Sequence, residues 1–202
     1  MRACIVMSFL LLSGCAQILG IEDLTAANEA PDAKPDSRPS AFDAGGTADA
    51  AGCGVTPTLG DIGDPGGDAS LGSTNDPTQY VQYLANLNAD PDQVLIALYS
   101  DLGAFAGGLS TGTFPLVGDE VQFRTCGLCV LLFADVSSGV PAGYYMATGG
   151  TVRLDSVTGT ISGSLENVTF AHVNIADDFT STLVGDGCDS IITSATFSAP
   201  IP

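Results

Sequence analysis

Short apolar segments with a two-residue period recur through the later part of the chain and predict β-strands. Over residues 151–157 polar side chains alternate with Val152 and Leu154, so one face of this strand is apolar. Residues 128–134 (LCVLLFA) are apolar throughout, which predicts a central strand covered on both faces. Short strands at this spacing, without helical periodicity, are typical of sandwiches and small barrels. We therefore expect an all-β fold, a single antiparallel β-sandwich or small β-barrel, over residues 53–202.

The remaining strands follow from the same alternation and from the turn residues between the segments. Residues 79–88 and 93–100 are apolar segments on either side of a turn sequence and predict a hairpin, although a short helix after Asp76 is an alternative for the first segment. Near Glu166 the apolar positions change phase, which predicts a β-bulge. The other predicted strands are 120–125, 144–147, 159–173 and 191–199, and residues 102–118 form a long connection with one short strand.

Charge excludes one large class of function. The formal net charge is −18, and residues 53–202 hold only two basic residues, Arg124 and Arg153. Nucleic-acid binding needs clusters of lysine and arginine at the phosphates, so we expect no nucleic-acid partner. An electrostatic partner of this domain would be a cation or a basic surface, although dispersed acidic charge also keeps an exported protein soluble.

The N-terminus has the pattern of an export signal. Arg2 precedes an apolar run over residues 5–12, and small residues follow it. This run is far shorter than the roughly 20 residues of a transmembrane helix. The tetrapeptide Leu12-Ser13-Gly14-Cys15 resembles the lipobox of bacterial lipoproteins. That resemblance implies removal of the signal peptide, residues 1–14, and acylation of Cys15 as the new N-terminus.

The resemblance also implies a membrane location for the protein. Acylated Cys15 would make the lipid bilayer a partner, because two or more acyl chains hold a protein stably on a membrane. Ala16 follows the cysteine in place of aspartate, which by similarity to the usual bacterial sorting rule favours the outer membrane. Residues 15–52 would then be the lipidated N-terminus and its linker. From residue 25 onwards this linker is rich in alanine, proline, aspartate and serine, and as a flexible coil of about 30 residues it would span about 30 Å.

Four cysteines remain for the domain: Cys53, Cys126, Cys129 and Cys188. An even number in an exported domain predicts two disulfides, for which three connectivities exist. Residues three apart along a strand face opposite sides. We therefore expect Cys126 and Cys129 each to bond Cys53 or Cys188, and not each other. The alternatives for the Cys126-x-x-Cys129 pair are a redox dithiol and part of a zinc site.

Other residues offer weaker candidates for chemistry. His172 is the only histidine, so any Ser-His-Asp or Cys-His mechanism would need it, and we expect it to be packed or at an edge. Asp177, Asp178, Asp186 and Asp189 could bind calcium or act as acid and base, but solvated loop acids are the default. The Gly-Asp run over 60–68 could bind calcium or form a turn, and a turn is favoured because aspartate and glycine are common turn residues.

The sequence thus predicts an envelope-anchored lipoprotein whose disulfide-stabilised β domain is a non-catalytic binding or structural module. We expect no metal, no catalytic residue and no cofactor. The alternatives are an extracytoplasmic enzyme, either a thiol oxidoreductase using Cys126 and Cys129 or a carboxylate-based hydrolase, and a calcium-dependent adhesion module.

Overall fold

The computed structural model describes residues 52–73, 79–87 and 91–202. The predicted signal peptide, the lipidation site Cys15 and the linker up to residue 51 lie outside this part of the chain. No helix within it is long and apolar enough to span a membrane. The strands are β1 (Gly60–Asp61), β2 (Asp68–Ser73), β3 (Gln79–Leu87), β4 (Asp92–Tyr99), β5 (Gly112–Pro115), β6 (Leu128–Ala134), β7 (Gly143–Thr158), β8 (Thr160–Ile175), β9 (Ser181–Leu183) and β10 (Asp189–Pro200).

All ten strands belong to one sheet, so the expected all-β class is confirmed. Its order is β1-β10-β8-β7-β6-β4-β3-β2, with β5 added beside β7 and β9 added beside β8. Every pairing is antiparallel except that of β1 with β10. The strands do not divide into two packed sheets, so of the two expected architectures the barrel-like one is closer.

The sheet curls into a half-barrel around its main hydrophobic core. The rings of Tyr83 on β3 and Phe197 on β10 lie with their centroids 5.4 Å apart, although four strands separate β3 from β10 in the sheet. Only strong curvature brings these strands together. The largest buried side chains of the concave face are Tyr83, Tyr145, Phe105, Phe170, Leu87, Ile96, Leu98, Leu116, Leu128 and Leu132.

In the Gly-Asp run, Gly60 and Asp61 form β1 beside β10, Asp68 begins β2, and the residues between these strands form the expected turns. Gly60, Gly63 and Gly66 have φ angles of 71°, 60° and 69°, a region in which glycine is favoured. Between them, carboxylate oxygens of Asp61 and Asp64 accept hydrogen bonds from the backbone N–H groups two residues later, at 3.0 and 2.9 Å. The carboxylates are therefore used to build consecutive turns.

The long hairpin of β7 and β8 forms the middle of the domain. The predicted strands 144–147 and 151–157 are one strand, β7, whose register with β8 shifts around Gly149. Asn167 has φ of 50° at this point, and buried positions on β8 change from odd to even numbers across it. The predicted β-bulge is confirmed. It allows one strand to turn a continuous apolar face towards the curving core.

Two further strand predictions are confirmed. Leu128–Ala134 is β6, which lies between β4 and β7, with side chains in the main core on one face and in a second apolar cluster on the other. The two segments predicted as a hairpin are β3 and β4, which pair antiparallel. The alternative of a helix in the first segment is wrong.

The predicted strand 120–125 is wrong. Gly118–Val121 is a short 3₁₀ helix, and turns follow it. The buried carboxylate of Glu120 accepts hydrogen bonds from the backbone N–H groups of Ala104, at 2.7 Å, and Leu128, at 2.5 Å. Apolar and polar residues do alternate here, but the two backbone N–H groups that Glu120 binds determine the local structure.

We expect Gly163→Ala to destabilise the domain because β8 passes close to its neighbours at this point. An added Cβ would collide with the backbone oxygen of Arg153 on β7 and lie 2.8 Å from the ring of Phe197 on β10. Backbone cannot move away as a flexible side chain can, so the expected loss is about 1–3 kcal/mol of unfolding free energy in urea denaturation. Gly107→Ala is the matched control, since nothing lies within 4 Å of its Cβ. Equal stability of the two variants would contradict the close packing of β7, β8 and β10.

Candidate functional site

A disulfide joins the first described residues of the domain to the loop before its last strand. Cys53 and Cys188 are bonded with their Cα atoms 5.4 Å apart, across a sequence separation of 135 residues. Cys126 and Cys129 bond each other, with Cα atoms 5.3 Å apart. The expectation that each of these two would reach Cys53 or Cys188 is wrong. Cys126 precedes β6, which begins at Leu128, so the rule for residues along a strand does not apply to the pair.

The two disulfides differ in what they contribute to stability. In the chain-entropy model, a closed loop of 135 residues stabilises the fold by about 5 kcal/mol, whereas one of three residues contributes about 2 kcal/mol. The first therefore restrains the whole domain. The Cys126–Cys129 disulfide holds a local turn, and both cysteines are fully buried in the second apolar cluster.

His172 lies beside the long-range disulfide and is held on two sides. Its ring stacks on Tyr145, with centroids 5.0 Å apart and planes at 16°. Its Nδ1 donates a hydrogen bond to Asp186 Oδ2 at 2.6 Å. The hydroxyl of Tyr145 donates to the backbone oxygen of Cys53, so the arrangement is connected to the disulfide through the backbone. We name Cys53, Tyr145, His172, Asp186 and Cys188 the disulfide corner.

Asp186 holds the loop of the disulfide corner in place. Its second oxygen accepts a hydrogen bond from the backbone N–H of Cys188 at 3.0 Å. The hydrogen bond from His172, followed by that from Cys188, lowers the pKa of Asp186 below its ordinary value. The carboxylate is therefore ionised at neutral pH and joins a strand residue to the disulfide loop. Sequence reasoning had identified His172 and Asp186 separately but missed Tyr145, because no sequence spacing links it to them.

The geometry of His172 is that of a positioned, partly buried histidine, as expected. Its side chain is 26% exposed, and its described hydrogen bond is to a carboxylate and not to a serine or cysteine side chain. A Ser-His-Asp or Cys-His mechanism requires a nucleophile bonded to the second ring nitrogen. The described contacts of His172 supply the orienting carboxylate of such a site and no nucleophile.

The other loop acids have separate local roles. Asp178 forms an exposed ion pair with Arg124 at 2.7 Å and caps a turn by accepting from Thr180 N–H at 3.0 Å. The hydrogen bonds of Thr180 and then the charge of Arg124 lower the pKa of Asp178. In the described part of the chain, no three histidine, cysteine or acidic side chains come together as metal ligands would. Asp177 and Asp189 are exposed.

A shallow depression of about 530 Å³ lies next to the disulfide corner. Its apolar parts are Pro57, Phe170 and Ile191, and hydroxyl groups border it at Thr148 and Thr169. The two threonine hydroxyls hydrogen-bond each other at 3.1 Å. The depression is open, and Asp189 is the charged residue among those that line it.

No protein-family model, curated protein or solved structure matches this chain.

We expect Asp186→Asn to lower stability at neutral pH, because it removes the ionised acceptor shared by His172 and Cys188. Since the folded-state pKa lies below the ordinary value of 3.8, this contribution is present above about pH 4 and is lost as the pH falls through the folded-state pKa. Urea unfolding should therefore show a larger stability difference between wild type and variant at pH 7 than at pH 2.

The matched control for this prediction is Asp177→Asn, an exposed aspartate in the same region of the chain. The unfolding free energy of Asp177→Asn should differ little from that of wild type at pH 7 and at pH 2. A stability difference for Asp186→Asn that persists unchanged at pH 2 would contradict the role of its charge.

Proposed function

We propose that this chain is an outer-membrane lipoprotein that carries a non-catalytic binding or structural β domain on a flexible linker. The observation that carries the proposal is the lipobox at Leu12–Cys15 followed, after a proline- and alanine-rich segment, by a domain whose first residues are fixed by Cys53. Disulfides persist in oxidising compartments outside the cytoplasm. The export signal and the disulfide-stabilised domain are thus two independent features that both support export from the cytoplasm.

The position of the long-range disulfide suits a tethered domain. The linker would join the fold at Gly52, directly before Cys53. Since Cys53 is bonded to Cys188, any pull transmitted through the linker would act on the start of β10 as well as on the N-terminal segment. The backbone of the 57–62 segment also hydrogen-bonds to β10, as at Leu59 N–H to Ile191 oxygen, 2.9 Å. This attachment would protect the edge of the sheet from being peeled away.

The non-catalytic part of the proposal is supported by the roles of the reactive side chains. Cys126 and Cys129 are bonded and fully buried, whereas a catalytic dithiol needs an accessible thiol with a lowered pKa. His172 and Asp186 are used to position the disulfide loop. The aspartates of the Gly-Asp run accept hydrogen bonds within their turns, which favours a structural role over calcium binding.

Mass spectrometry of the protein isolated from a bacterial host tests the anchor. We expect the N-terminal peptide to begin at Cys15 and to carry several acyl chains. Cys15→Ser should abolish acylation and release the protein from the membrane fraction. Cys4→Ser is the matched control, since it removes a cysteine of the signal peptide and should leave acylation unchanged. An unmodified N-terminus upstream of Cys15 would contradict the proposal.

A further inference from the structure

Two adjoining surface segments carry half of the exposed large hydrophobic side chains in the described part of the chain. Eight large hydrophobic residues are exposed in the described part of the chain, and four of them lie in the two segments 117–124 and 176–187. These four are Val117, Phe179, Leu183 and Val184. Leu183 is 68% exposed and Phe179 is 58% exposed. Two adjoining surface segments thus present apolar groups to solvent.

A small cavity opens between the same two segments. It has a volume of about 150 Å³ and reaches the convex face of β7 and β8 at Met146 and Val173, which are buried. Four of its seven lining residues are apolar, and three carry hydroxyl or amide groups. We name this cavity the β9 socket. Its lining residues are Val121, Gln122, Met146, Thr148, Val173, Ser181 and Leu183.

The walls of the β9 socket are fixed to each other. The Ser181 hydroxyl donates to Gln122 Oε1 at 2.9 Å and accepts from the backbone N–H of Phe123 at 3.1 Å. The rings of Phe123 and Phe179 meet edge to face with centroids 6.1 Å apart. Gln122 and Phe123 belong to one segment, and Ser181 and Phe179 belong to the other. The opening is therefore formed before a ligand arrives, which lowers the entropic cost of binding.

The surroundings of the β9 socket are acidic. The two segments 117–124 and 176–187 hold five carboxylates and one basic residue, Arg124, whose guanidinium is paired with Asp178 at 2.7 Å. Glu120 is buried in hydrogen bonds to the backbone, but Asp119 and Asp177 are exposed. An acidic partner would be repelled here, whereas lysine or arginine on either side of an inserted side chain would be attracted.

We propose that the β9 socket binds a protein segment in which one large apolar side chain is flanked by lysine or arginine. The apolar side chain fills the socket against Met146 and Val173, and the basic neighbours lie over Asp119 and Asp177. This inference rests on the proposed function as a binding module and names the chemistry of its partner. It does not depend on the lipid anchor, so binding by a chain that is not acylated would leave it intact.

The probe for this site is the blocked peptide Lys-Lys-Leu-Lys-Lys, added to the full chain labelled with ¹³C at the methionine methyl groups. The chain has three methionines, and Met146→Leu assigns the signal of the socket floor. We expect the Met146 signal to shift in a saturable manner. Replacing the central leucine of the peptide by serine should weaken binding about tenfold or more, because the serine buries much less apolar surface in the socket. A Glu-Glu-Leu-Glu-Glu peptide should not bind.

Two surface variants separate the β9 socket from general charge attraction. Leu183→Ser should weaken binding of the Lys-Lys-Leu-Lys-Lys peptide about tenfold, and Asp119→Asn with Asp177→Asn should weaken it further. Val140→Ser is the control, since Val140 is 61% exposed in the turn before β7 and does not line the socket.

Several results would overturn the inference. One is an unchanged Met146 signal, and another is equal binding of the leucine and serine peptides, which would leave only non-specific charge. Loss of a dimer in Leu183→Ser, measured by sedimentation, would instead assign this surface to a second copy of the chain. Any of these results would leave acylation of Cys15, and hence the anchor, untouched.

Discussion

The need to cover the apolar face of one large sheet determines most of this structure. The described part of the chain contains no α-helix that could pack on the sheet, so the sheet must bury its apolar face against itself. Curling brings β3 and β10 together and encloses aromatic and aliphatic side chains from nearly every strand. The bulge at Asn167 and the glycine at 163 follow from this curvature, since both allow β8 to bend closely past its neighbours.

The curled sheet still has an edge at β10 and β1, and the long-range disulfide and several hydrogen bonds lie at this edge. The 57–67 segment runs beside β10, hydrogen-bonds to it, and continues to Gly67, whose N–H donates to the hydroxyl of Tyr83 at 2.9 Å. The Cys53–Cys188 disulfide fixes the beginning of that segment. The Tyr145–His172–Asp186 arrangement then holds the disulfide loop against the end of the sheet. The reactive side chains of the disulfide corner therefore secure this edge of the sheet.

The sequence predicted those strands that follow from the local pattern of apolar and polar residues. Its predictions were wrong where long-range contacts determine the local structure. β6 was predicted at its observed bounds because seven consecutive apolar residues are compatible with few other environments. The segment at 120–125 was misassigned because the inward turn of Glu120 serves Ala104 and Leu128, which no local pattern reveals. The cysteine pairing was misjudged for the same reason, since it depended on where β6 begins. Tyr145 belongs to the candidate site through its stacking on His172 and its hydrogen bond to Cys53, and both contacts are long-range.

Contact between the two ends of the curled sheet is the most direct test of the fold on which the disulfide corner and the β9 socket depend. The measurement is the nuclear Overhauser effect between the ring protons of Tyr83 and Phe197, whose centroids lie 5.4 Å apart. A strong cross-peak is expected, because only curvature of the sheet brings β3 and β10 within this distance. Its absence, with both rings assigned and the strand pairings of β8 with β10 and of β3 with β4 intact, would mean an open sheet and would contradict the structure.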